Sequence, residues 1–196
     1  YSEHVDEQAA AASLVYQQVL DDIAEATPGD SLDADQQAQV NQLAESLKQD
    51  YSDSQYAFYA ALIKAKLAVE AADLSAAAVE LQWAMDNADN LISENIARLR
   101  LARVEAASGN LDNALQLVQG VDAGEMKSAF EEAKGDFYLQ QGNSAAAYTA
   151  YEAAMMAIET GNGAASQLLQ LKISQVQPVA VESDDSEQAA EQDDAS

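Results

Sequence analysis

The chain is expected to fold as an all-α stack of helical hairpins, and three observations lead there. The segments EAADLSAAAVELQWAM, AASGNLDNALQLVQGV and LQQGNSAAAYTAYEAAM share one pattern, a loop followed by a helix rich in small residues. Aligned on Ala72, Gly109 and Gly142, each places an alanine five positions on, at Ala77, Ala114 and Ala147, and a large apolar residue four further, at Leu81, Val118 and Tyr151. The only two prolines, Pro28 and Pro178, fall where helical periodicity stops, and seven of the eight glycines fall in loops. Alternating β-branched stretches, the mark of half-buried strands, are absent.

The pattern has a steric cause. Where two antiparallel helices meet the next pair, only Ala or Gly allows close backbone approach, and large residues fill the gaps between. No single hairpin buries its apolar face, so at least three must stack, with atypical ends. The intervals between turns, 37 and 33 residues, lie close to the ~34-residue period of tetratricopeptide (TPR) helical pairs. That period, more than the alanines themselves, separates the array from an alanine-rich bundle. The expected architecture is a TPR-like helical-hairpin solenoid of about nine helices, with capping helices at both ends.

A first helix spans about Glu3 to Ala26, with Val5, Ala9, Ala12, Tyr16, Val19 and Ile23 on one face. Thr27 to Asp30 close it, and a second helix, about Asp33 to Gln49, buries Val40, Leu43 and Leu47. The third begins near Ser52 or Asp53, good cap types, and runs to Ala71; its partner spans about Ser75 to Ala88. The next pair covers about Ser93 to Ala107 and Leu111 to Val118, with Gly109 supplying the left-handed stop. Glu125 to Gln140 and Ser144 to Glu159 form the pair after it. Gly135 lies inside the first of these, where the other repeats hold Ala65 and Ala102, which points to close packing rather than a break. Gly161-Asn162-Gly163 is a turn, and Ala164 to about Gln175 is a terminal cap using Leu168, Leu169, Leu171 and Ile173. Residues 1–176 thus form the repeat domain. Residues 177–196 hold too few apolar side chains to offset ordering entropy and read as a disordered acidic tail.

Charge narrows the function. Thirty-four acids against nine bases give a net charge of −25. Residues 1–47 hold ten acids and residues 177–196 seven, neither with Lys or Arg. Nucleic-acid binding needs a basic footprint that is missing, and anionic lipid headgroups would repel the chain. The acid excess serves solubility or a basic partner. With no cysteine, disulfides and thiol nucleophiles are excluded, and redox compartment stays open. The lone His4 reads as a surface residue. No HExxH pair is present, and Asp30, Asp33 and Asp35 lack the glycine and distal glutamate of a calcium loop, so no metal, cofactor or catalytic centre is expected.

Several segments together resemble a known family. LRLARVEAASGNLDNALQLV, YAFYAALIKAKLAVEAADLSAAAVELQWAM, the closing LLQLKISQV and the opening YSEHVDEQAAAASLVYQQVL are similar to the YfgM-type ancillary SecYEG translocon subunits. The likeness covers nearly all of residues 1–176 and rests on the run of segments rather than on one sharp motif. It implies a periplasmic TPR domain anchored once in the inner membrane upstream of Tyr1. It also implies partners: the SecYEG translocon, a membrane-anchored peptidyl-prolyl isomerase (PPIase) type chaperone and exported clients. The chain opens on Tyr1 rather than Met, which fits an upstream segment removed, and it contains no apolar run of spanning length. The acidic extension after Val176 departs from the family pattern.

In such arrays the first helix of each pair lines the concave surface, where a partner segment can lie. Alignment puts Tyr59, Leu62 and Lys66 beside Leu99 and Arg103, followed by Glu132, Asp136 and Leu139. Lys66 and Arg103 share one repeat position. They are either a cationic pair for a partner carboxylate or two internal ion pairs with acids such as Glu70. Tyr51, Tyr56, Phe58, Tyr59 and Trp83 form an aromatic region, mostly core by spacing. The expected function is a non-enzymatic interaction scaffold at the translocon that passes exported proteins to periplasmic chaperones. The alternative is a soluble TPR adaptor for another envelope assembly, and an apolar run of about 20 residues before Tyr1 would favour the tethered form.

Overall fold

The computed structural model describes residues 2–24, 32–158 and 163–176. Nine α-helices make up the described residues: α1 (Ser2–Ala24), α2 (Ala34–Asp50), α3 (Gln55–Glu70), α4 (Leu74–Asp86), α5 (Leu91–Ala107), α6 (Leu111–Val118), α7 (Lys127–Gln140), α8 (Ser144–Met156) and α9 (Gly163–Val176). A short 3₁₀ turn, Gly124–Met126, leads into α7. Each helix packs on its sequence neighbour, and α1 meets α3 as α5 meets α7. The result is the expected all-α hairpin solenoid.

The aligned turns share one backbone geometry. Ala72, Gly109 and Gly142 have φ of 58°, 84° and 78°, and Ala72 is the only non-glycine with positive φ among the described residues. In each turn the following amide bonds five residues back, Asp73 to Ala68, Asn110 to Glu105 and Asn143 to Tyr138, at 2.8, 2.9 and 2.9 Å. This is the Schellman closure, which satisfies carbonyls that the ending helix leaves free. The small-residue register holds as well: Ala77, Ala114 and Ala147 are fully buried.

Helices α6 and α8 start where expected, at Leu111 and Ser144; the other starts differ by one to three residues, and capping explains most of the shifts. Ser54, rather than Ser52 or Asp53, caps α3, its hydroxyl accepting from the Ala57 amide. Asp33 caps α2 in a reciprocal box with Gln36, and Asp73 and Asn90 cap α4 and α5. Because several neighbouring residues are good caps, backbone geometry rather than residue type selects among them. The 3₁₀ turn delays α7 to Lys127.

Three burial expectations change. Ala9 on the expected apolar face of α1 is exposed. Leu43 is half-buried beside the fully buried Val40 and Leu47. On α9, Leu168 and Leu171 are exposed, because the face turned to α8 is Leu169, Ile173 and Val176, at four- and three-residue steps. Residues 25–31, 159–162 and the expected tail at 177–196 lie outside the described residues, as does the His4 side chain. Among the described residues, no helix is long and apolar enough to cross a membrane.

Candidate protein-interaction groove

The first helices of successive hairpins do not all touch. Helix α5 packs on α4, α6 and α7 but has no comparable contact with α3, although both lean on α4. A crevice of about 610 Å³ opens between them. Its walls are Tyr59, Leu62, Ile63, Lys66, Val69 and Glu70 of α3 and Arg100, Arg103 and Val104 of α5, Tyr16 of α1 borders it, and Leu81 of α4 lies at its base. The interval between the first two turns, 37 residues against 33 for the next, falls at this opening.

Four of the residues expected to form the groove, Tyr59, Leu62, Lys66 and Arg103, line this one crevice. Leu99 does not: it is 4% exposed and belongs to the core beneath, with Leu115 and Phe130. Glu132 and Asp136 are taken up by the terminal helix, where Lys172 pairs with each at 2.7 Å. Leu139 is exposed near the end of α7. The charge of α9 thus closes the third hairpin, and the open crevice is confined to the middle of the array.

Periodicity alone missed Arg100 and Tyr16. Arg100 precedes Arg103 by three residues, a spacing that places both on one helix face, so that signal was present in the sequence. Tyr16 was assigned to its own hairpin's core, yet its ring sits 5.4 Å from Tyr56 and 5.9 Å from Tyr59, bridging α1 to α3 at the crevice edge. Burial, and secondarily the neighbouring Tyr59, push the Tyr16 hydroxyl above its ordinary pKa. Tyr16 therefore borders the crevice as an uncharged ring at neutral pH. Phe58 is buried, and Tyr51, Tyr56 and Trp83 are half-buried, Trp83 with the Lys48 ammonium 4.9 Å from its ring centre.

The cations of the crevice are unusual in this chain. Of nine Lys and Arg, Lys48, Lys64, Lys66, Arg98, Lys134 and Lys172 make ion pairs. Among the described residues Arg100 and Arg103 make none. The Lys66 pair with Glu70 is loose, at 3.5 Å with the lysine side chain 69% exposed. Among the described residues, internal pairing therefore describes Lys66 weakly and Arg103 not at all. An apolar slot edged by guanidinium groups is suited to bidentate capture of a carboxylate beside an apolar side chain.

Beside the crevice the stack is held rigid by ions. Lys48 of α2 and Lys64 of α3 converge on Glu80 of α4 at 2.6 and 2.7 Å, and Lys64 also bonds Glu45 of α2. Burial alone would lower the Lys64 pKa, but the hydrogen bonds to Glu45 and Glu80 outweigh it and hold it above its usual value. The Lys64 bond in turn lowers Glu45. No group of three or more potential metal-ligating side chains converges among the described residues.

A solenoid of capped helical hairpins with an open slot between two of its first helices belongs to the class of repeat proteins that bind other proteins. The profile of the tetratricopeptide repeat-like domain family matches residues 1–178. The chain is 33% identical over 140 residues to an ancillary SecYEG translocon subunit of Aggregatibacter actinomycetemcomitans, covering 71% of this chain and 67% of that one. It is 29% identical over 171 residues to the Haemophilus influenzae protein of the same name, covering 87% and 78%. Against the Escherichia coli protein of that name it is 25% identical over 174 residues, covering 89% and 78%. The chain belongs to this tetratricopeptide repeat-like family, together with ancillary SecYEG translocon subunits.

Proposed function

We propose that the chain is a non-enzymatic adaptor of the SecYEG translocon, held at the periplasmic side of the inner membrane by an anchor upstream of Tyr1. Its repeat domain receives a segment of a partner in the α3–α5 crevice and links emerging exported proteins to periplasmic chaperones, among them a membrane-anchored PPIase-type chaperone. The names of its relatives support the translocon part of this reading. The observation that carries the binding part is the crevice itself: an apolar slot with Tyr59, Leu62, Lys66, Arg100 and Arg103 around it, open where the neighbouring repeats are closed.

The test is photocrosslinking in cells from a photoreactive residue placed at Tyr59 or Leu62 of the full-length protein. Expected are adducts with translocon subunits or a membrane-anchored chaperone that weaken when Arg100 and Arg103 are changed to Gln. Val79, an exposed apolar residue on α4 outside the crevice, serves as the control position. Adducts equally abundant from Val79 would overturn the groove as the binding face, and groove adducts lacking any translocon component would favour an adaptor for another envelope assembly.

A further inference from the structure

We infer that the crevice between α3 and α5 has a resident occupant, the chain's own acidic segment 179–185, which a partner must displace. The inference rests on the groove reading above and adds regulation to it.

Charge complementarity is the first support. In a chain of net charge −25, six of the nine bases form ion pairs among the described residues, and of the three that form none there, two stand on this crevice. The third, Lys127, is exposed at the start of α7. With Glu70 on the same wall loosely paired to Lys66, Arg100 and Arg103 leave the slot a local positive focus on an otherwise negative molecule. It favours carboxylates even though the rest of the surface repels them beyond short range.

The segment has the matching chemistry. Residues 179–185 read VAVESDD. Val179 and Val181, three and five residues beyond Val176, span only about 10 and 17 Å of extended chain and lead the segment toward the stack, so that Glu182, Asp184 and Asp185 are the groups that meet the guanidinium rim. The family profile ends at residue 178, so this segment is an addition to the shared repeat domain.

Reach is the third support. Up-and-down packing of sequence neighbours makes α3, α5, α7 and α9 run in the same direction, and Lys172 brings α9 beside α7 through Glu132 and Asp136. Val176 therefore ends α9 at the same end of the stack as Lys66 and Arg103, each four residues short of its helix end. Packed axes lie roughly 8–10 Å apart, so α5 is on the order of 20 Å away and α3, across the open crevice, on the order of 30 Å or more. Glu182 to Asp185 stand six to nine residues beyond Val176, and an extended chain covers about 20–30 Å over that length. Tethering supplies an effective concentration of order millimolar, which offsets the general repulsion without demanding a tight intrinsic contact. The latch is then weak enough for a partner to displace.

Zero-length carbodiimide crosslinking of the full chain, read by peptide mass mapping, tests this directly. Lys66 and Lys127 are both exposed, so adducts on Lys127 count random encounters of the tail. We expect tail carboxylates on Lys66 at least about fivefold more often than on Lys127, within the monomer at every dilution. Changing Arg100 and Arg103 to Gln, which leaves Lys66 in place, should bring the two to parity. Equal labelling in the unsubstituted chain overturns the inference, and adducts confined to crosslinked dimers overturn it in favour of a second copy's tail. Neither result touches the groove reading, which the photocrosslinks from Tyr59 and Leu62 decide on their own.

Discussion

The ring of Tyr151 occupies the space where a side chain on Gly135 would stand. A β-carbon built on Gly135 would lie 2.4 Å from Cε1 and 2.5 Å from Cδ1 of Tyr151, inside any tolerable contact. The same two repeat positions hold Ala65 with Leu81 and Ala102 with Val118, in each case sixteen residues apart. Volume is conserved across the pair: where the large residue grows to tyrosine, the small one shrinks to glycine. Helix propensity alone predicts that Gly135→Ala stabilises by about 1 kcal/mol. Overpacking costs about 1–3 kcal/mol and should win, because Tyr151 is fully buried and cannot swing away. Denaturant midpoints should show Gly135→Ala destabilised by roughly 1–2 kcal/mol. In the double variant Gly135→Ala/Tyr151→Leu, which installs the Ala–Leu pair of the first repeat, the loss should be smaller than the sum of the single changes by about 1 kcal/mol or more. Additive losses would show that the two positions are not coupled.

Ala72 carries the opposite mismatch. It holds φ of 58° where Gly109 and Gly142 hold theirs without strain, and an L-residue there costs about 1–2 kcal/mol. Glycine gives back roughly 0.5–1 kcal/mol of that through its greater unfolded-state freedom. Ala72→Gly should therefore stabilise the fold by about 0.5–1 kcal/mol, read as a raised denaturant midpoint at unchanged slope. A loss of stability would mean that the turn relaxes in solution.

Glu80 is the shared acceptor of two lysines and is largely buried, with its side chain 12% exposed. Glu80→Ala leaves Lys48 with only the longer 3.7 Å contact to Glu45 and Lys64 with Glu45 alone. Removing one partner of a poorly solvated pair costs about 3–5 kcal/mol, and the residual Glu45 bonds should reduce this to about 2 kcal/mol. Because the cluster is sheltered, added salt should change the difference little. A cost under about 0.5 kcal/mol in thermal or chemical unfolding would mark the cluster as a surface network instead.

How much of this was legible in the sequence depends on whether a residue type had one physical use. The hairpin register was legible because only small residues fit at Ala77, Ala114 and Ala147, and the shared turn was legible even at Ala72, where the residue itself argues against it. Helix starts were not, since Ser52, Asp53 and Ser54 are equally good caps and only Ser54 reaches the Ala57 amide. For the groove, the first-helix alignment located Tyr59, Leu62, Lys66 and Arg103, while Leu99 fell on the flank turned to α6 and α7. Glu132 and Asp136 could not be placed, because their partner, Lys172, lies 36 to 40 residues away on a helix outside the repeat. Long-range pairing of that kind leaves no local spacing to read.

The same Lys172 sets the alkaline limit of the fold. Burial, with the hydrogen bond to Asp136 adding to it, raises the Tyr151 hydroxyl well above its ordinary 10.0. For Lys172, burial would lower the pKa, but the hydrogen bonds to Asp136 and Glu132 prevail and raise it above 10.5. Both groups have folded values above their unfolded ones. Their contribution is therefore complete below pH 10.0 and is lost as pH rises past the unfolded values toward the folded ones. Guanidinium midpoints should hold steady from about pH 8 to about pH 9.5 and then fall, with tyrosinate absorbance from Tyr151 appearing only as the fold is lost. Tyr151→Phe removes the hydroxyl but keeps the ring under the Lys172 ammonium, 5.5 Å from the ring centre. This variant should lose about 1 kcal/mol at neutral pH, for the hydrogen bond to Asp136, and decline less steeply above pH 10. If it declines as steeply as the unsubstituted chain, Tyr151 is not a source of the alkaline sensitivity, and the loss lies with the other groups held above their usual values, Lys172, Lys64, Tyr16 and Tyr148.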